Sequence, residues 1–466
     1  MTMTTSRPSS IRFVLFATAV TAIGGFLFGY DTAVVNGAIS YLRLNMHLNS
    51  AQEGMAGSSA ILGCIPGAMC AGVLSDRFGR KKMLLFCAVL YAVSGVLSAL
   101  PRTFEWFLLA RFLSGVGIGA SSMICPTYIA EIAPERLRGR LGSLFQVAIV
   151  SGVFITLFVN KIVQGMGSEA WNTTMGWRWM VGLEAVPAVI FFFLLFTVPE
   201  SPRWLALHSK EDEARDIFER VSGSERADHE LDAIRTAMKE ESGQFSELFT
   251  SHFWRPTMIA VVLMACSQFC GVNAIIYYST SIFAKADASS TKDVAFTASA
   301  WVGLVNVLFT FVAVALVDRA GRRPLLLAGC AVQTVALATV GWMFHQGQSG
   351  IGLLLAIMAF IGAFAVGIGP VGWLLTAEIF PNKIRARAMS LTSFTVWVSC
   401  NIVALTFPML RDSPLVGPAK TFAFYSAVSL FAFVFILLAI PETKGQSLEE
   451  IEHMWVGKAK GRVAEL

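Results

Sequence analysis

Long apolar runs alternate with short polar segments along nearly the whole chain of 466 residues. Most runs reach the roughly 20 residues that a helix needs to cross the hydrocarbon core of a bilayer. The runs lie at 11–41, 53–75, 83–101, 105–130, 141–164, 177–198, 254–284, 294–317, 324–345, 351–378, 388–410 and 420–440. The pattern predicts an all-α membrane protein with twelve transmembrane helices.

A polar stretch at about 200–253 separates the first six runs from the last six. Charged residues alternate there with Ile217, Phe218, Leu231 and Ile234 at helical spacing. This periodicity favours short amphipathic helices over a flexible linker, which is the alternative interpretation.

The placement of Lys and Arg predicts the orientation in the membrane. The loops after runs 2, 4, 8 and 10 carry 13 of these residues, and the loops after the odd-numbered runs carry 5. Because positively charged loops stay on the cytoplasmic side, both termini and the central stretch are predicted to be cytoplasmic, in a multi-pass protein of the cell membrane.

Three short motifs occur twice in the same order, which indicates an internal repeat. Each first copy is followed by a second copy 242, 247 and 242 residues later, at Asp76 and Asp318, Glu131 and Glu378, and Glu200 and Glu442. The chain is therefore predicted to form two homologous six-helix bundles, 1–198 and 254–441, with a cytoplasmic helical linker at 199–253 and a cytoplasmic tail at 442–466. Parallel repeats of this kind bind substrate between the halves, near the membrane midplane.

Composition agrees with this class, since 55% of the residues are hydrophobic and 14% are charged, against about 25% charged in a soluble domain. The net charge of +5 is no argument for a nucleic-acid partner, because the placement of positive charge matters more in membrane proteins. The eight scattered Cys are interpreted as small buried apolar residues. No cofactor, metal site or catalytic motif is predicted. The expected partner at this point is the bilayer, with a monomer as the functional unit.

Asp31 is the one acid in the first apolar run, and Arg111 lies within the fourth. A carboxylate in a membrane span needs a counter-ion, a proton or a water-filled cavity. We therefore expect Asp31 and Arg111 to face each other inside the bundle. Glu184 is interpreted as a structural residue near the outer half of the sixth helix.

The strings GGFLFGYD, PESPRW, VDRAGRRP and PETKG together resemble the sugar porters of the major facilitator superfamily, and the resemblance covers essentially the whole chain. It implies a transporter, not an enzyme, that imports a monosaccharide with a proton by alternating access. A passive sugar uniporter and a proton-coupled carrier of a cyclic polyol such as inositol are the alternatives. A sugar receptor without transport is disfavoured by the short tail after Pro441.

In this family, proton-coupled members have an acid where Asp31 stands and an arginine where Arg111 stands. Desolvation favours a neutral carboxyl, while a neighbouring guanidinium favours the carboxylate. Separating the pair during transport would therefore tie proton binding to motion. A static ion pair between the first and fourth helices is the alternative.

The resemblance also implies a set of sugar-binding residues, namely Phe28, Gln146, Gln268, Asn273, Asn306, Trp373 and Trp397, with Tyr277 and Tyr278 closing the outer gate. Amides and aromatic rings suit a sugar because its hydroxyls both donate and accept hydrogen bonds and its ring has an apolar face. Ser267, Val396 and Cys400 replace residues that are commonly amides in the family. These departures leave the choice between glucose, xylose, galactose and inositol open.

Charged residues of the repeated loops are predicted to form a cytoplasmic gate, comprising Asp76, Arg80, Glu131, Arg138, Glu200, Asp318, Arg322, Glu378, Arg385 and Glu442. Asp76 is expected to pair with Arg136 or Arg138, and Glu131 and Glu378 with Arg80 or Arg322. Positive loops that merely fix the topology, with weak surface pairs of about 0–1 kcal/mol, are the alternative.

Overall fold

The structure is a computed structural model that describes residues 11–237, 244–250, 253–286 and 292–444. Twelve of its helices are long and apolar enough to cross a membrane, which confirms the predicted fold class. Most of the predicted tail, from residue 445 onwards, lies outside the described residues.

The first six spanning helices are α1 (Ile11–Met46), α2 (Ser50–Phe78), α3 (Arg80–Ala99), α4 (Phe104–Ile132), α5 (Arg138–Gly165) and α6 (Glu169–Leu195). The last six are α10 (Trp254–Ala286), α11 (Lys292–Ala320), α12 (Arg322–His345), α13 (Ile351–Glu378), α14 (Asn382–Asp412) and α15 (Gly417–Ala439).

Between these groups the described residues form three short α-helices, α7 (Pro202–Leu207), α8 (Glu211–Ser222) and α9 (Ser224–Ala237), and one 3-10 helix (Phe245–Phe249). Ser201 caps α7, because its Oγ accepts the backbone N–H of Trp204 at 3.1 Å. Ile217 and Phe218 are buried on one face of α8. The amphipathic spacing in this stretch therefore produces helices.

Two of the spanning helices are interrupted at glycines. Helix α10 breaks between Phe269 and Val272, where Gly271 has a φ of +86°, a left-handed conformation that favours glycine. Helix α13 breaks at Gly367. Interrupted helices free backbone groups at membrane depth, and in transporters they occur where substrates bind.

Close backbone approaches explain several small residues. A Cβ on Gly29 of α1 would come 1.8 Å from the carbonyl oxygen of Ile149 in α5. A Cβ on Gly119 of α4 would come 2.2 Å from the carbonyl oxygen of Cys64 in α2. Small residues let membrane helices pack backbone against backbone, so Gly119 serves the packing of α4 against α2.

The described residues group into two compact units. The first comprises those of 1–32, 62–153 and 178–241, and the second those of 33–61, 154–177 and 242–466. The core of the second unit is apolar and includes Leu263, Leu326, Val371, Leu375 and Ile436. The second unit thus contains segments of α1, α2, α5 and α6 together with the helices of the C-terminal half.

Candidate functional site

A fully buried ion pair lies in the first unit between α1 and α4. Arg111 donates from both terminal nitrogens to the carboxylate of Asp31, with N–O distances of 2.5 and 3.0 Å. Its NH2 also donates to the backbone oxygen of Asp31 at 3.1 Å, and Ser114 Oγ donates to Asp31 Oδ1 at 2.6 Å. The structure thus brings the predicted pair together, and a forked contact of this kind is the strongest carboxylate–guanidinium geometry.

Glu184 of α6 is the third charged member of this group, and the sequence interpretation missed its position. Its Oε2 lies 3.8 Å from Arg111 NH1, and the residue is fully buried. Asp31 and Ser114 also lie near it. Among the described residues, neither of its oxygens has a partner at hydrogen-bonding geometry. The signal that singled out Asp31, an acid inside an apolar run, also marks Glu184.

The charges of this group do not balance when both acids are ionised, since two carboxylates face one guanidinium. An isolated buried carboxylate is costly, and it usually takes up a proton instead. The group of Asp31, Arg111 and Glu184, which we call the coupling group, therefore has the composition of a proton-binding centre.

A second polar cluster lies in the second unit, where α10 is interrupted. Asn273 Nδ2 donates to Gln268 Oε1 at 2.7 Å, and Gln268 Nε2 donates to Ser267 Oγ at 2.8 Å. Ser267 Oγ in turn donates to the carbonyl oxygen of Met264 at 2.7 Å. The break at Gly271 brings Gln268 and Asn273 side by side, and both are largely buried.

The remaining predicted sugar ligands are distributed over both units. Asn306 is buried in α11, and Trp373 and Trp397 are half-buried in α13 and α14. Phe28 and Gln146 are half-buried in the first unit. Their role as sugar ligands stays a prediction from the family resemblance.

The predicted outer-gate tyrosines are both buried in the second unit. The hydroxyl of Tyr278 donates to the carbonyl oxygen of Ala404 in α14 at 2.8 Å. A Cβ on Gly57 of α2 would come 2.1 Å from the same hydroxyl. Tyr278 therefore fills the space between α2, α10 and α14, while its gating role stays a prediction.

Asn36 of α1 makes contacts with α10 that the sequence analysis did not predict. Its Nδ2 donates to Ser279 Oγ at 2.7 Å and to the carbonyl oxygen of Ile276 at 2.5 Å. The backbone carbonyl oxygen of Asn36 accepts a hydrogen bond from the hydroxyl of Thr280 at 2.5 Å. These bonds attach α1 to the second part of α10.

The repeated loop motifs form one charge cluster in each unit. In the first, Arg80 Nε and NH2 donate to the two carboxylate oxygens of Glu131, both at 3.0 Å. Ser201 Oγ donates to Glu131 Oε2 at 2.6 Å. Glu200 accepts the backbone N–H of Lys81 at 3.0 Å, at the N-terminus of α3, where a carboxylate is stabilised by the helix dipole.

The second unit repeats this arrangement. Arg322 NH2 donates to Glu378 Oε1 at 2.9 Å, and Thr443 Oγ1 donates to Glu378 Oε2 at 2.6 Å. Glu442 accepts the backbone N–H groups of Arg322 and Arg323 at 3.0 and 3.1 Å, at the start of α12. Burial alone would raise the pKa of Glu442, but these N–H groups and those of Lys444 and Thr443 hold it below its usual value.

Other predicted gate residues have different partners from those expected. Asp76 lies 2.9 Å from Arg80 NH1, one helical turn away, rather than at Arg136 or Arg138. Arg138 donates to the carbonyl oxygen of Ala130 at 2.9 Å, and Arg385 donates to that of Phe380 at 3.1 Å. Arg138 therefore links the start of α5 to the last turn of α4, and Arg385 links α14 to the loop that precedes it. The side chain of Asp318 lies outside the described residues.

Comparison with known proteins agrees with these features. The family model described as "Sugar (and other) transporter" matches residues 17–455. The arabinose-proton symporter of Bacillus subtilis is 39% identical over 453 residues, covering 97% of both chains. The D-xylose-proton symporter of Escherichia coli K12 is 34% identical over 478 residues, covering 96% of this chain and 97% of that protein.

A solved structure shows the same fold. The inward open conformation of the xylose transporter XylE from E. coli superposes with a TM-score of 0.84 at 32% identity, covering 95% of this chain and all of that one. The fold and the matched motifs define a secondary transporter of the major facilitator superfamily. Within that class, the chain belongs to the sugar transporter family, and it is a transporter rather than an enzyme.

Proposed function

We propose that this protein imports a monosaccharide together with a proton by alternating access, with the coupling group as its proton-binding centre. The observation that supports the coupling most directly is the presence of two buried carboxyls, Asp31 and Glu184, beside one guanidinium. A sugar porter that only equilibrates its substrate has no need for such a group, whereas a symporter needs a buried site that binds and releases one proton per cycle.

The geometry suggests how proton binding would be linked to motion. With Asp31 ionised, Arg111 and Ser114 hold α1 and α4 together through its carboxylate. A proton on Asp31 neutralises its carboxylate and so weakens its ion pair with Arg111. The Arg111 guanidinium can then pair with Glu184 of α6 instead. The proton therefore changes which helices the arginine ties together, and a ligand can shift a conformational equilibrium only through such a difference between states.

The polar cluster at the break of α10 would bind the sugar. Asn273 keeps its Oδ1 acceptor and a second N–H, and Gln268 keeps one N–H beyond the bonds within the cluster. Both groups thus have donors and acceptors left for sugar hydroxyls. Phe28, Gln146, Asn306, Trp373 and Trp397 would complete the site, as the resemblance implies.

The names of the two relatives favour a pentose as the substrate, since one carries arabinose and the other D-xylose, each with a proton. Passive uniport and inositol transport are correspondingly less favoured. We further propose that both termini face the cytoplasm, that the protein acts as a monomer in the cell membrane, and that the clusters around Glu131 and Glu378 belong to the cytoplasmic gate.

Uptake by the purified protein in sealed vesicles tests this function. Arabinose, xylose, glucose, galactose and inositol are each offered with and without an inward proton gradient, and a protonophore serves as the control. The proposal predicts that at least one pentose accumulates above its external concentration when the gradient is present, and that pentose addition alkalinises the medium. Uptake that ignores the gradient and moves no protons would indicate a uniporter, and accumulation of inositol alone would indicate a polyol carrier.

A further inference from the structure

A charge cluster unrelated to the coupling group joins four helices of the second unit. Arg411 of α14 donates from NH1 and NH2 to the carboxylate of Glu53 in α2, at 3.1 and 2.8 Å. Arg43 of α1 donates to Glu53 Oε2 at 2.8 Å and to Asp412 Oδ2 at 3.0 Å. Lys285 at the end of α10 donates to Asp412 Oδ1 at 2.8 Å. We call these five residues the outer charge cluster.

Burial divides this cluster into a centre and a rim. The side chains of Glu53 and Arg411 are 2% and 4% exposed, whereas those of Arg43 and Lys285 are 38% and 42% exposed. Removing one partner of a buried ion pair leaves an uncompensated charge, while exposed pairs contribute little. The contact between Glu53 and Arg411 therefore dominates the energetics of the cluster.

The two central residues come from different halves of the sequence, because α2 belongs to the first repeat and α14 to the second. The cluster occupies the end of α1, the start of α2 and the ends of α10 and α14. In the proposed topology these four helix ends all lie on the outer side of the membrane. Any opening of that side has to part Glu53 from Arg411.

A charged contact suits a reversible closure. When the outer side opens, both ions regain water, which offsets part of the lost attraction, and their burial on closing requires the good geometry seen here. The cations Arg43, Lys285 and Arg411 outnumber the acids Glu53 and Asp412. The cluster therefore needs no proton to close, unlike the coupling group.

We propose that Glu53 and Arg411 form the latch of the outer gate, a contact between the two repeats that is made when the outer side is closed and broken when sugar enters. This inference rests on the proposed alternating access. The hydrogen bonds of Asn36 with Ser279 and Thr280 join α1 and α10 in the same unit. In the proposed mechanism they would form together with the latch, deeper in the membrane.

The native thiol of Cys400 allows the latch to be tested. Cys400 is buried in α14, eleven residues before Arg411, or about 16 Å along the helix. In the proposed topology, a membrane-impermeant maleimide added to intact cells can approach this buried thiol only from the outer side, so its labelling is expected to rise when that side opens. The labelling of Cys400 is located by mass spectrometry of the purified protein.

The variants are Glu53→Gln, Arg411→Gln and both together, with Lys161→Gln as the matched control. Lys161 pairs with Asp293 at the same end of the helices, but this pair is more exposed, at 25% and 56%. The latch predicts that each single change speeds labelling by about fivefold or more, because a buried pair is broken. The double change should be no faster than the quicker single one, and Lys161→Gln should change labelling by less than about fivefold.

Unchanged labelling in the single variants, or single effects that multiply in the double variant, would overturn the latch. If a single variant does not accumulate in the membrane, Arg411→Lys decides instead, because it keeps the positive charge but loses the forked contact with Glu53: labelling faster than in the wild type supports the latch, and wild-type labelling refutes it. Labelling requires no sugar, so it tests the latch separately from transport. If the protein moves none of the vesicle sugars but the single and double variants label as predicted, the proposed function is refuted and the latch stands.

Discussion

The coupling group and the outer charge cluster are both built on an arginine buried in a membrane helix, yet their charges balance in opposite ways. Arg111 is answered by two buried acids, Asp31 and Glu184. Arg411 shares its two acids, Glu53 and Asp412, with two more cations. With all acids ionised, the first group has one acid more than it has cations, and the second has one cation more than it has acids.

This difference separates two uses of a buried ion pair. In a buried group with more acids than cations, a bound proton neutralises the excess negative charge, so the contacts of the group depend on its protonation. A group with surplus positive charge is stable with every acid ionised, so its contacts respond to the separation of helices instead. In the proposed mechanism, proton coupling and outer closure would thus act at different places in one chain.

The sharpest way to break this comparison is to remove each arginine. Arg111→Gln leaves two buried carboxyls without a cation, and breaking a buried pair costs about 3–5 kcal/mol. Proton-driven sugar uptake should fall by about a hundredfold or more. Arg411→Gln leaves Glu53 paired with Arg43, so uptake should fall by less than about tenfold. Initial uptake rates per vesicle-incorporated protein measure both, and equal losses would contradict the distinction.

Glu184→Gln sharpens the comparison by equalising the charges of the coupling group. With one acid per guanidinium, the coupling group carries no excess negative charge that favours a proton on Asp31. Uptake should therefore require a more acidic medium. Accumulation at neutral pH should fall by about tenfold, while exchange of sugar without a gradient is retained. Uptake against external pH measures this, and an unchanged profile would show that Glu184 takes no part in coupling.

Ser114→Ala has a smaller expected effect. The hydroxyl of Ser114 donates to Asp31 Oδ1 at 2.6 Å, and hydrogen bonds to charged groups contribute about 1.5–3 kcal/mol. Its loss favours the protonated acid, so uptake should reach its half-maximal rate at a more alkaline pH than in the wild type. Ser114→Thr keeps the hydroxyl and is the matched control; a profile moving to more acidic pH would reverse the assigned role.

Lys285→Gln should have the smallest effect. Its side chain is 42% exposed, and exposed ion pairs contribute about 0–1 kcal/mol. Labelling of Cys400 from outside should therefore rise by less than about fivefold. An increase as large as that of Arg411→Gln would show that the rim, rather than the buried centre, holds the outer side closed.

The sequence was informative where a residue broke a strong pattern. Asp31 and Arg111 stand alone in apolar runs, so their pairing could be predicted. Glu184 breaks the same pattern, but its distance from Arg111 depends on how α6 packs. Glu53 and Arg411 lie near helix ends, where charges are ordinary, and nothing in the sequence indicates that they are buried together.

The break in α10 illustrates the same limit. The sequence contains Gln268, Gly271 and Asn273, but a continuous helix would carry the two amides on different faces. The left-handed Gly271 turns the chain so that the amides bond at 2.7 Å. The twelve helices, in contrast, follow from hydropathy alone, because a bilayer requires each spanning segment to satisfy its own backbone.

The most direct test of the coupling group is to compare sugar accumulation with sugar exchange in vesicles that contain Asp31→Asn. This change removes the ionisable acid while keeping its size, so the carrier can still bind sugar and change conformation. We predict that accumulation driven by a proton gradient is lost, while counterflow of labelled sugar against unlabelled sugar continues within about threefold of the wild-type rate. Accumulation that persists at the wild-type level would contradict the assignment of Asp31 as the proton-binding residue.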